Sequence, residues 1–337
     1  MTINHGGNVF EVAQQRDWDW RDIADFSANI NPLGPAPGVR PAILNALDRI
    51  VHYPERESPA LRTALAAAWG IEESQILLGN GATELIAFFA FLYGNASCTL
   101  HVPVFSEFHR AFPNASFNTA CHPYELPTEG LLVITNPANP TGRLFQREPL
   151  LDWLQFTKHP VLVDESFIEF SEASSLVHVV SNRPNLFVLR SLTKFYALPG
   201  LRIGALVATS DTIQQWRCNR PPWQVNVLAS EAAIAALSDT LHAQRSVSFV
   251  SNEREWLRQE LVQLPGVKPE PGHANFLHVR IDYPAGRLSE CLLNQKILIR
   301  NCAGWPGLIG ESVRIAVRTH EENVRLINAW KGFSCAC

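Results

Sequence analysis

The sequence LFVLRSLTKFYALPGLR, residues 186–202, joins a short apolar run to two hydroxyl side chains, a lysine and an arginine. The apolar run predicts a buried strand, and α/β proteins bind their ligands beyond the carboxyl ends of such strands. The hydroxyls of Ser191 and Thr193 and the guanidinium of Arg202 suit a phosphate group. Lys194 can form an imine with an aldehyde, although a solvated surface lysine is the ordinary alternative. This stretch therefore predicts a strand of the central sheet that ends in a covalent cofactor site.

Other apolar runs of strand length alternate with helical stretches along the chain. They occupy residues 99–102, 131–135, 161–163 and 203–207. Buried runs that are separated by helices are typical of a largely parallel sheet covered on both faces. A helix is predicted over 37–51, because apolar side chains recur there at helical spacing. The sequence therefore predicts an α/β fold with a three-layer α/β/α domain.

The pattern changes after Pro221-Pro222 and indicates a second, smaller lobe. Two helices and then two strands are predicted there, at 225–237, 241–264, 276–281 and 313–317. Thr319 and Glu322 form a capping box ahead of the last helix. A chain of 337 residues usually divides into two lobes. We therefore expect an N-terminal arm at 1–35, a large domain at 36–225 and a small α+β domain at 226–337.

Three further strand ends carry residues that suit parts of one ligand. Gly79-Asn80-Gly81-Ala82-Thr83-Glu84 precedes an apolar helix, whose free amides and dipole can hold a phosphate. Two asparagines lie in the proline-rich turn at 136–142, and Asp164 directly follows an apolar run. A buried carboxylate at Asp164 needs a cation, either an internal arginine or a protonated pyridine nitrogen. Each feature alone has a structural explanation, but their joint occurrence favours one shared cofactor site.

Charge and composition exclude several other classes of protein. The formal net charge of −4 gives no field that gathers polyanions, so we expect a small-molecule substrate and no nucleic acid. The longest apolar run, 85–93, is far shorter than the roughly 20 residues that cross a bilayer, and no secretory signal begins the chain. We therefore expect a cytoplasmic protein without membrane contact. The seven cysteines lack the spacing of a zinc site or a disulfide scaffold, which predicts reduced thiols and no metal site.

The motifs and their order closely resemble those of fold-type-I enzymes that use pyridoxal phosphate (PLP), the aminotransferase class I and II family. The resemblance covers essentially the whole chain. It implies that Lys194 forms a Schiff base with PLP and that Asp164 pairs with the pyridine nitrogen. It also implies that Asn139 lies at the ring 3-hydroxyl and that Phe105 stacks on the ring. The implied neighbours of the cofactor phosphate are Ala82, Thr83, Ser191, Thr193 and Arg202.

The same resemblance implies a homodimer with shared active sites. In this family a tyrosine at the position of Tyr53 reaches the cofactor phosphate of the neighbouring subunit. The N-terminal arm is a second segment that could reach another subunit. Dimerisation is expected here from the resemblance, since no pattern in the residues themselves establishes it.

Longer motifs narrow the resemblance to the branch that histidinol-phosphate aminotransferases share with threonine-phosphate decarboxylases of cobalamin synthesis. The decarboxylases are favoured by His5-Gly6-Gly7-Asn8, by DFSANINPLG at 25–34 and by Ile297-Leu298-Ile299-Arg300. Aminotransferases of this branch place a tyrosine three residues after the aspartate, where it bonds to the 3-oxygen of the cofactor. This chain has Phe167 there, which weakens the aminotransferase interpretation.

The decarboxylase resemblance implies the substrate L-threonine O-3-phosphate and the products (R)-1-amino-2-propanol O-2-phosphate and CO2. Arginine pairs bidentately with carboxylate and phosphate groups, and which arginine binds which anion stays open. Period-two spacing offers a strand face shared with Arg314 as one interpretation of Arg318, but a structural ion pair is the favoured interpretation. The proposed anchors of the substrate anions are His5, Asn29, Arg300 and Arg314.

Three alternatives remain open. Serine phosphate is a possible substrate, because one methyl group changes binding by only about 1–3 kcal/mol. A histidinol-phosphate or related aromatic aminotransferase is the second alternative, against which Phe167 and the N-terminal motif argue. The third is a PLP-binding regulator, which would carry a DNA-binding module ahead of this fold. We expect no such module in the arm at 1–35.

Overall fold

The computed structural model describes the backbone of residues 6–336 and the side chains of residues 6–333. The helices are α1 (Val9–Arg16), α2 (Val39–Ala46), α3 (Pro59–Trp69), α4 (Ala82–Tyr93), α5 (Ser106–Ala111), α6 (Arg147–Trp153), α7 (Ser210–Cys218), α8 (Val227–Ser238), α9 (Thr240–Val262), α10 (Ala285–Leu293) and α11 (His320–Ala336). The strands are β1 (Ala24–Asp25), β2 (Ile76–Gly79), β3 (Cys98–His101), β4 (Ser116–Asn118), β5 (Leu131–Thr135), β6 (Val161–Asp164), β7 (Leu186–Ser191), β8 (Gly204–Val207), β9 (Val267–Pro269), β10 (Phe276–Ile281), β11 (Ile297–Leu298), β12 (Arg300–Asn301) and β13 (Ser312–Ala316). Within the described part of the chain, no helix combines the length and the apolar character needed to span a membrane.

The central sheet has seven strands in the order β2-β8-β7-β6-β5-β3-β4. Neighbouring strands from β7 to β4 pair in parallel, whereas β8 is antiparallel to both β7 and β2. The carboxyl ends of the parallel strands therefore meet at one edge of the sheet. Because β8 is reversed, its amino end lies at this same edge, beside the carboxyl end of β7. The mainly parallel sheet that the sequence predicts is confirmed.

Alternate residues of the central strands pack on opposite faces of the sheet. In β5, Leu132 and Ile134 belong to one hydrophobic core, while Leu131 and Val133 belong to the other. Helices α2, α3, α6 and α8 cover the first core, and α4, α5 and α7 cover the second. Strands β5 to β8 are buried at every position because both of their faces are covered. The predicted three-layer architecture is therefore present.

The smaller lobe contains an antiparallel sheet in the order β12-β13-β10-β9. Leu257, Leu288 and Leu326, from α9, α10 and α11, pack in its hydrophobic core. Helix α11 begins directly after Thr319, whose Oγ1 accepts from the N–H of Glu322 at 3.4 Å. The N–H of Thr319 donates in return to the Glu322 carboxylate at 3.3 Å. The predicted capping box is confirmed.

From residue 6 onward, the N-terminal arm predicted at 1–35 contains regular structure that packs on the rest of the chain. Residues 9–16 form the helix α1, and β1 pairs in parallel with β11. Phe26 is completely buried in the core of the smaller lobe. The glycine, asparagine and proline residues around these elements suggest irregular structure, and the partner strand at 297–298 is too distant in the sequence to be recognised from local patterns.

The predicted strands appear as β3, β5, β6, β7 and β8, with ends that shift by at most two residues. The helix predicted at 37–51 ends sooner, because α2 stops at Ala46 and a 3-10 helix continues to Val51. Strand β4 is not predicted by the sequence, since it is short, lies at the sheet edge and exposes Phe117. The described cysteines are free thiols, as expected: Cys98, Cys121, Cys218, Cys291 and Cys302.

Arg190 of β7 is completely buried among three glutamates. Its guanidinium nitrogens lie 3.1 Å from a carboxylate oxygen of Glu165, 3.6 Å from one of Glu169 and 2.7 Å from one of Glu172. The ring of Trp69 covers the guanidinium at 5.2 Å. Burial raises the pKa of Glu169 to about 8, which favours the protonated form of this carboxyl. Because a lone buried charge is costly, the arginine and its glutamates stabilise one another.

We expect Arg190→Leu to lower the free energy of unfolding by about 3–5 kcal/mol, because buried carboxylates would lose their cation. Lys268, which pairs with Asp282 on the surface, provides the control. Lys268→Leu should change the same quantity by less than about 1 kcal/mol. Denaturant unfolding followed by circular dichroism measures both variants. Equal losses would show that the buried cluster has no special role in stability.

Candidate active site

A cavity of about 830 Å³ opens at the carboxyl edge of the central sheet. Residues that follow β5, β6 and β7 meet there with the start of α4 and with arginines of the smaller lobe. The predicted site residues that line this cavity are Asn29, Ala82, Thr83, Phe105, Asn139, Asp164, Ser191, Thr193, Lys194, Arg202, Arg300 and Arg314. The structure therefore brings the residues expected around a cofactor and those expected around a substrate into one space.

Of the predicted site residues within the described part of the chain, Tyr53 is not part of this cavity lining. His5 lies outside the described residues. Tyr53 is 81% exposed, and its ring stacks on Trp223 with the ring centroids 4.7 Å apart. Its expected contact with the cofactor of a neighbouring subunit stays a prediction.

Lys194 lies in the cavity wall, three residues beyond the end of β7. Its backbone oxygen accepts a hydrogen bond from the N–H of Asn31 at 3.0 Å, which joins the lysine loop to the N-terminal segment. The pKa of Lys194 is lowered to about 8, first by burial and then by the positive charges of Arg314 and Arg202. An appreciable fraction of this amine is therefore neutral near physiological pH, as a nucleophile that attacks an aldehyde requires.

Asp164 is buried at the end of β6, next to the lysine loop. Its Oδ1 accepts hydrogen bonds from the N–H and the hydroxyl of Ser166, at 3.0 and 2.5 Å. Burial raises the pKa of Asp164 to about 6, although these hydrogen bonds and the charge of Lys194 act in the opposite direction. No cationic side chain between residues 6 and 333 forms an ion pair with it, so the internal arginine pair is not formed there. A protonated pyridine nitrogen would supply the cation that this carboxylate needs.

The start of α4 and the loop after β7 form a site that suits a phosphate group. Gly81 precedes α4 with a φ of +80°, and a Cβ there would collide with the guanidinium of Arg202. The hydroxyls of Ser191 and Thr193 line the same space and share a hydrogen bond of 2.8 Å. Helix amides, hydroxyls and a guanidinium are common phosphate ligands. Together with the lysine and the aspartate described above, this set of groups fits PLP.

Arg300 and Arg314 face each other across β12 and β13. Like charges in such a pair repel, so an anion bound between them would be stabilising. Arg314 is buried, and its two Nη atoms donate to Oδ1 of Asn139 and to the backbone oxygen of Ser27, both at 2.6 Å. Its pKa is lowered to about 10, mainly by burial. The Nε of Arg314 and the Oδ1 of Asn29 are buried and have no hydrogen-bond partner in the described structure, so both can bind a ligand.

Ser166 and Ser27 line the cavity but are not predicted by the sequence analysis. Each follows an aspartate by two residues, and its N–H and hydroxyl both donate to that aspartate. The two aspartates, Asp25 and Asp164, therefore have the same local turn at the cavity edge. The repeated Asp-x-Ser spacing is a signal that identifies such turns in a sequence.

Arg318 forms a structural ion pair and also lies beside the arginines proposed to bind the substrate. Its Nη2 lies 2.8 Å from Glu322, which forms the structural ion pair that was favoured. Arg318 also lines the cavity, together with Arg300 and Arg314. The carboxylate of Glu322 balances part of the positive charge that these three arginines bring to this side of the cavity.

Comparison with known proteins gives matches along nearly the whole chain. The family model described as "Aminotransferase class I and II" matches residues 21–329. Threonine-phosphate decarboxylase from Salmonella typhimurium strain LT2 is 36% identical over 346 residues, which cover 96% of this chain and 95% of that protein. Histidinol-phosphate aminotransferase from Moorella thermoacetica is 31% identical over 338 residues, which cover 94% of this chain and 86% of that protein. The crystal structure of L-threonine-O-3-phosphate decarboxylase from Porphyromonas gingivalis has a TM-score of 0.85 at 27% identity, and the match covers 92% of this chain and 99% of that one.

We expect covalent attachment of PLP to the cofactor-free protein to be half-maximal near pH 8, because the pKa of Lys194 is lowered to about 8. Below this pH the amine is protonated and cannot attack the aldehyde, so attachment should fall as the pH falls. Arg314→Gln removes a nearby positive charge and should move the midpoint to higher pH. Borohydride trapping across a pH series measures the attached fraction, with Lys194→Ala as the control. A midpoint near the ordinary lysine pKa of about 10.4 would contradict the burial of this amine.

Proposed function

The chain belongs to the aminotransferase class I and II family, and we propose that it is a PLP-dependent decarboxylase of L-threonine O-3-phosphate. The fold is PLP fold type I, and PLP is the cofactor. The proposed reaction releases CO2 and leaves (R)-1-amino-2-propanol O-2-phosphate, a building block for cobalamin. Similarity to threonine-phosphate decarboxylases over nearly the whole chain supports this assignment.

The observation that carries the proposal is the pair of facing arginines in the same cavity as Lys194. A substrate with one carboxylate and one phosphate offers an anion to each arginine, and a guanidinium binds either group through two parallel hydrogen bonds. Asn29 contributes a buried oxygen to the same cavity, which can accept a hydrogen bond from the substrate. His5 is the remaining proposed anchor and lies outside the described residues.

We assign the substrate carboxylate to Arg314 and the phosphate to Arg300. Arg314 donates a hydrogen bond to Asn139, the residue proposed to lie at the cofactor ring. The charge of Arg314 also lowers the pKa of Lys194. It is therefore the arginine on the cofactor side of the pair. The carboxylate is attached directly to the reacting carbon, whereas the phosphate lies at the far end of the substrate side chain. The carboxylate therefore lies near Arg314 on the cofactor side, and the phosphate reaches Arg300 on the far side.

When bound, PLP accepts the electron pair that is released as a bond at the α-carbon breaks. Asp164 would hold the ring nitrogen, and Phe105 would pack on the ring face. The start of α4, Ser191, Thr193 and Arg202 would hold the cofactor phosphate. These residues would together fix the position of the cofactor ring. Arg314 would orient the substrate carboxylate so that it leaves as CO2.

Lys194 has two proposed tasks in this reaction. Its Nζ is the atom that would bind PLP covalently in the resting enzyme. With the substrate in the cavity, the amine of Lys194 would hold a proton, because its pKa is about 8. Delivery of this proton to the α-carbon replaces the carbon–carbon bond lost with CO2 by a carbon–hydrogen bond. The amine and the phosphate of the substrate remain in the product.

Phe167 favours decarboxylation over transamination. It is buried, lines the cavity and packs edge-on against Phe276 with the ring centroids 5.0 Å apart. It offers no hydroxyl at the position where aminotransferases of the branch place a tyrosine. A histidinol-phosphate aminotransferase is the second candidate, which the similarity to the Moorella protein favours. Serine phosphate is the alternative substrate for a decarboxylase.

Purified protein loaded with PLP should release CO2 from L-threonine O-3-phosphate in an amount equal to the amino alcohol phosphate formed. Trapped CO2 and the phosphorus NMR spectrum of the product measure the two quantities. Formation of a 2-oxo acid without CO2 would overturn the decarboxylase and favour the aminotransferase. The same assay with serine phosphate determines whether the substrate methyl group matters.

We also propose a homodimer in which Tyr53 serves the active site of the neighbouring subunit. Tyr53 is 81% exposed and lies outside the cavity of its own subunit. Ile50 and Val51, close to it in the chain, are 61% and 77% exposed. Together with Trp223 they form an exposed apolar surface of the kind that subunit interfaces cover.

Mixed dimers provide a test of this shared site. Dimers made of Lys194→Ala subunits should be inactive, and dimers made of Tyr53→Ala subunits should retain PLP poorly. A dimer with one subunit of each kind has one intact site if Tyr53 acts across the interface, and none if it acts within its own subunit. Co-expression with two affinity tags isolates the mixed dimer for the CO2 assay. Activity no higher than that of either parent would contradict the shared site.

A further inference from the structure

Trp305 connects the two lobes beside the cavity and has no role in the assignments above. It lies in the loop between β12 and β13, where Gly304 and Gly307 have φ values of 74° and 84°. L side chains rarely adopt these conformations, so glycine is favoured at both positions. The turns that they allow bring Trp305 into the cavity lining.

The indole of Trp305 forms a hydrogen bond with the larger lobe. Its Nε1 donates to the backbone oxygen of Val104 at 3.0 Å. Val104 is completely buried and precedes Phe105, the residue proposed to stack on the cofactor. Gly307, in the same loop, packs so closely on residues 102–103 that a Cβ would overlap their backbone. The loop is therefore fixed against the segment that carries the ring-stacking residue.

The same indole ring covers Arg300 of the smaller lobe. The guanidinium carbon of Arg300 lies 5.2 Å from the ring centre of Trp305, within the range of a cation–π interaction. Arg314 lies directly opposite Arg300, and the like charges of the two guanidinium groups repel each other. The attraction of the indole opposes this repulsion and holds the guanidinium in place.

We propose that Trp305 is a positioning residue that sets the distance between the guanidinium of Arg300 and the cofactor end of the cavity. The inference rests on the proposed function, in which Arg300 binds the substrate phosphate. One rigid side chain links Arg300 to Val104 through its ring face and its N–H group. The site therefore selects phosphorylated amino acids by charge and also by the fixed distance between Arg300 and the cofactor end of the cavity.

Two variants separate the contacts of Trp305. Trp305→Leu removes the hydrogen bond and the aromatic face, whereas Trp305→Phe keeps a ring over Arg300. In the PLP-loaded enzyme, the dissociation constant of inorganic phosphate should rise about tenfold for the leucine variant and at most about threefold for the phenylalanine variant. Phosphorus NMR titration measures this constant. Trp256 is partly buried and packs against the hydrophobic core of the smaller lobe, and Trp256→Phe is the matched control that should leave phosphate binding unchanged.

A double variant tests whether Trp305 acts through Arg300. In the Arg300→Ala background, Trp305→Leu should change the dissociation constant of phosphate by less than about twofold, because residues that share one interaction have non-additive effects. With threonine phosphate, Trp305→Leu alone should raise KM about tenfold while kcat stays within about threefold, since the reacting groups are untouched.

Multiplied losses in the double variant, or a fall in kcat without weaker phosphate binding, would overturn the positioning role. Failure of the wild-type enzyme to release CO2 would overturn the proposed function but leave this test in force, because the phosphate titration needs no turnover. If Trp305→Leu does not fold, the same comparison uses Trp305→Phe, whose effect on phosphate binding must disappear in the Arg300→Ala background.

Discussion

The reversal of the chain from β7 into β8 is the constraint on which the site depends. The register pairs Ser191 with Gly204 and Gly204 with Gly79, so the ends of β7, β8 and β2 lie in one row. A Cβ at Gly204 would press on the backbone N of Ala82 and on the backbone O of Arg190. The absence of a side chain there allows α4 to begin beside the lysine loop. The helix amides, the hydroxyls and the lysine can then act on the same ligand.

The charge within the cavity differs from that of the whole chain. The chain carries a net charge of −4, whereas the basic residues that line the cavity outnumber the acidic ones. The basic residues are Arg110, Lys194, Arg202, Arg300, Arg314 and Arg318, and the acidic ones are Asp25, Glu107 and Asp164. Burial lowers the pKa values of Lys194 and Arg314, and their neighbouring positive charges lower them further. A phosphorylated cofactor and a substrate with two anionic groups would supply the balancing negative charge. The local arrangement, and not the net charge, determines which ligands this cavity can bind.

The chemistry of the larger lobe was accessible from the sequence because its functional residues lie at or shortly after the ends of apolar runs. Asp164 directly follows such a run, Lys194 lies five residues beyond another, and both line the cavity. Contacts between distant segments had no such signal. The pairing of β1 with β11 and the hydrogen bond from Trp305 to Val104 depend on how the lobes pack, which no local pattern records. Family resemblance supplied Arg300 and Arg314, but their facing positions became apparent only in the structure.

Arg190 and its glutamates adjoin the ligand site along the chain without lining it. Glu165 directly follows Asp164 in the chain, and Arg190 directly precedes Ser191. At each of these two strand ends, one residue serves the ligand site and its neighbour serves the buried ion-pair cluster. One of each pair lines the cavity, and the other belongs to the buried cluster. Loss of Arg190 would leave the carboxylates of Glu165 and Glu172 without their cation. We therefore expect replacement of Arg190 to be tolerated only together with apolar replacements of the glutamates that it pairs with. In this way a group that binds no ligand restricts the evolutionary routes open to the active site.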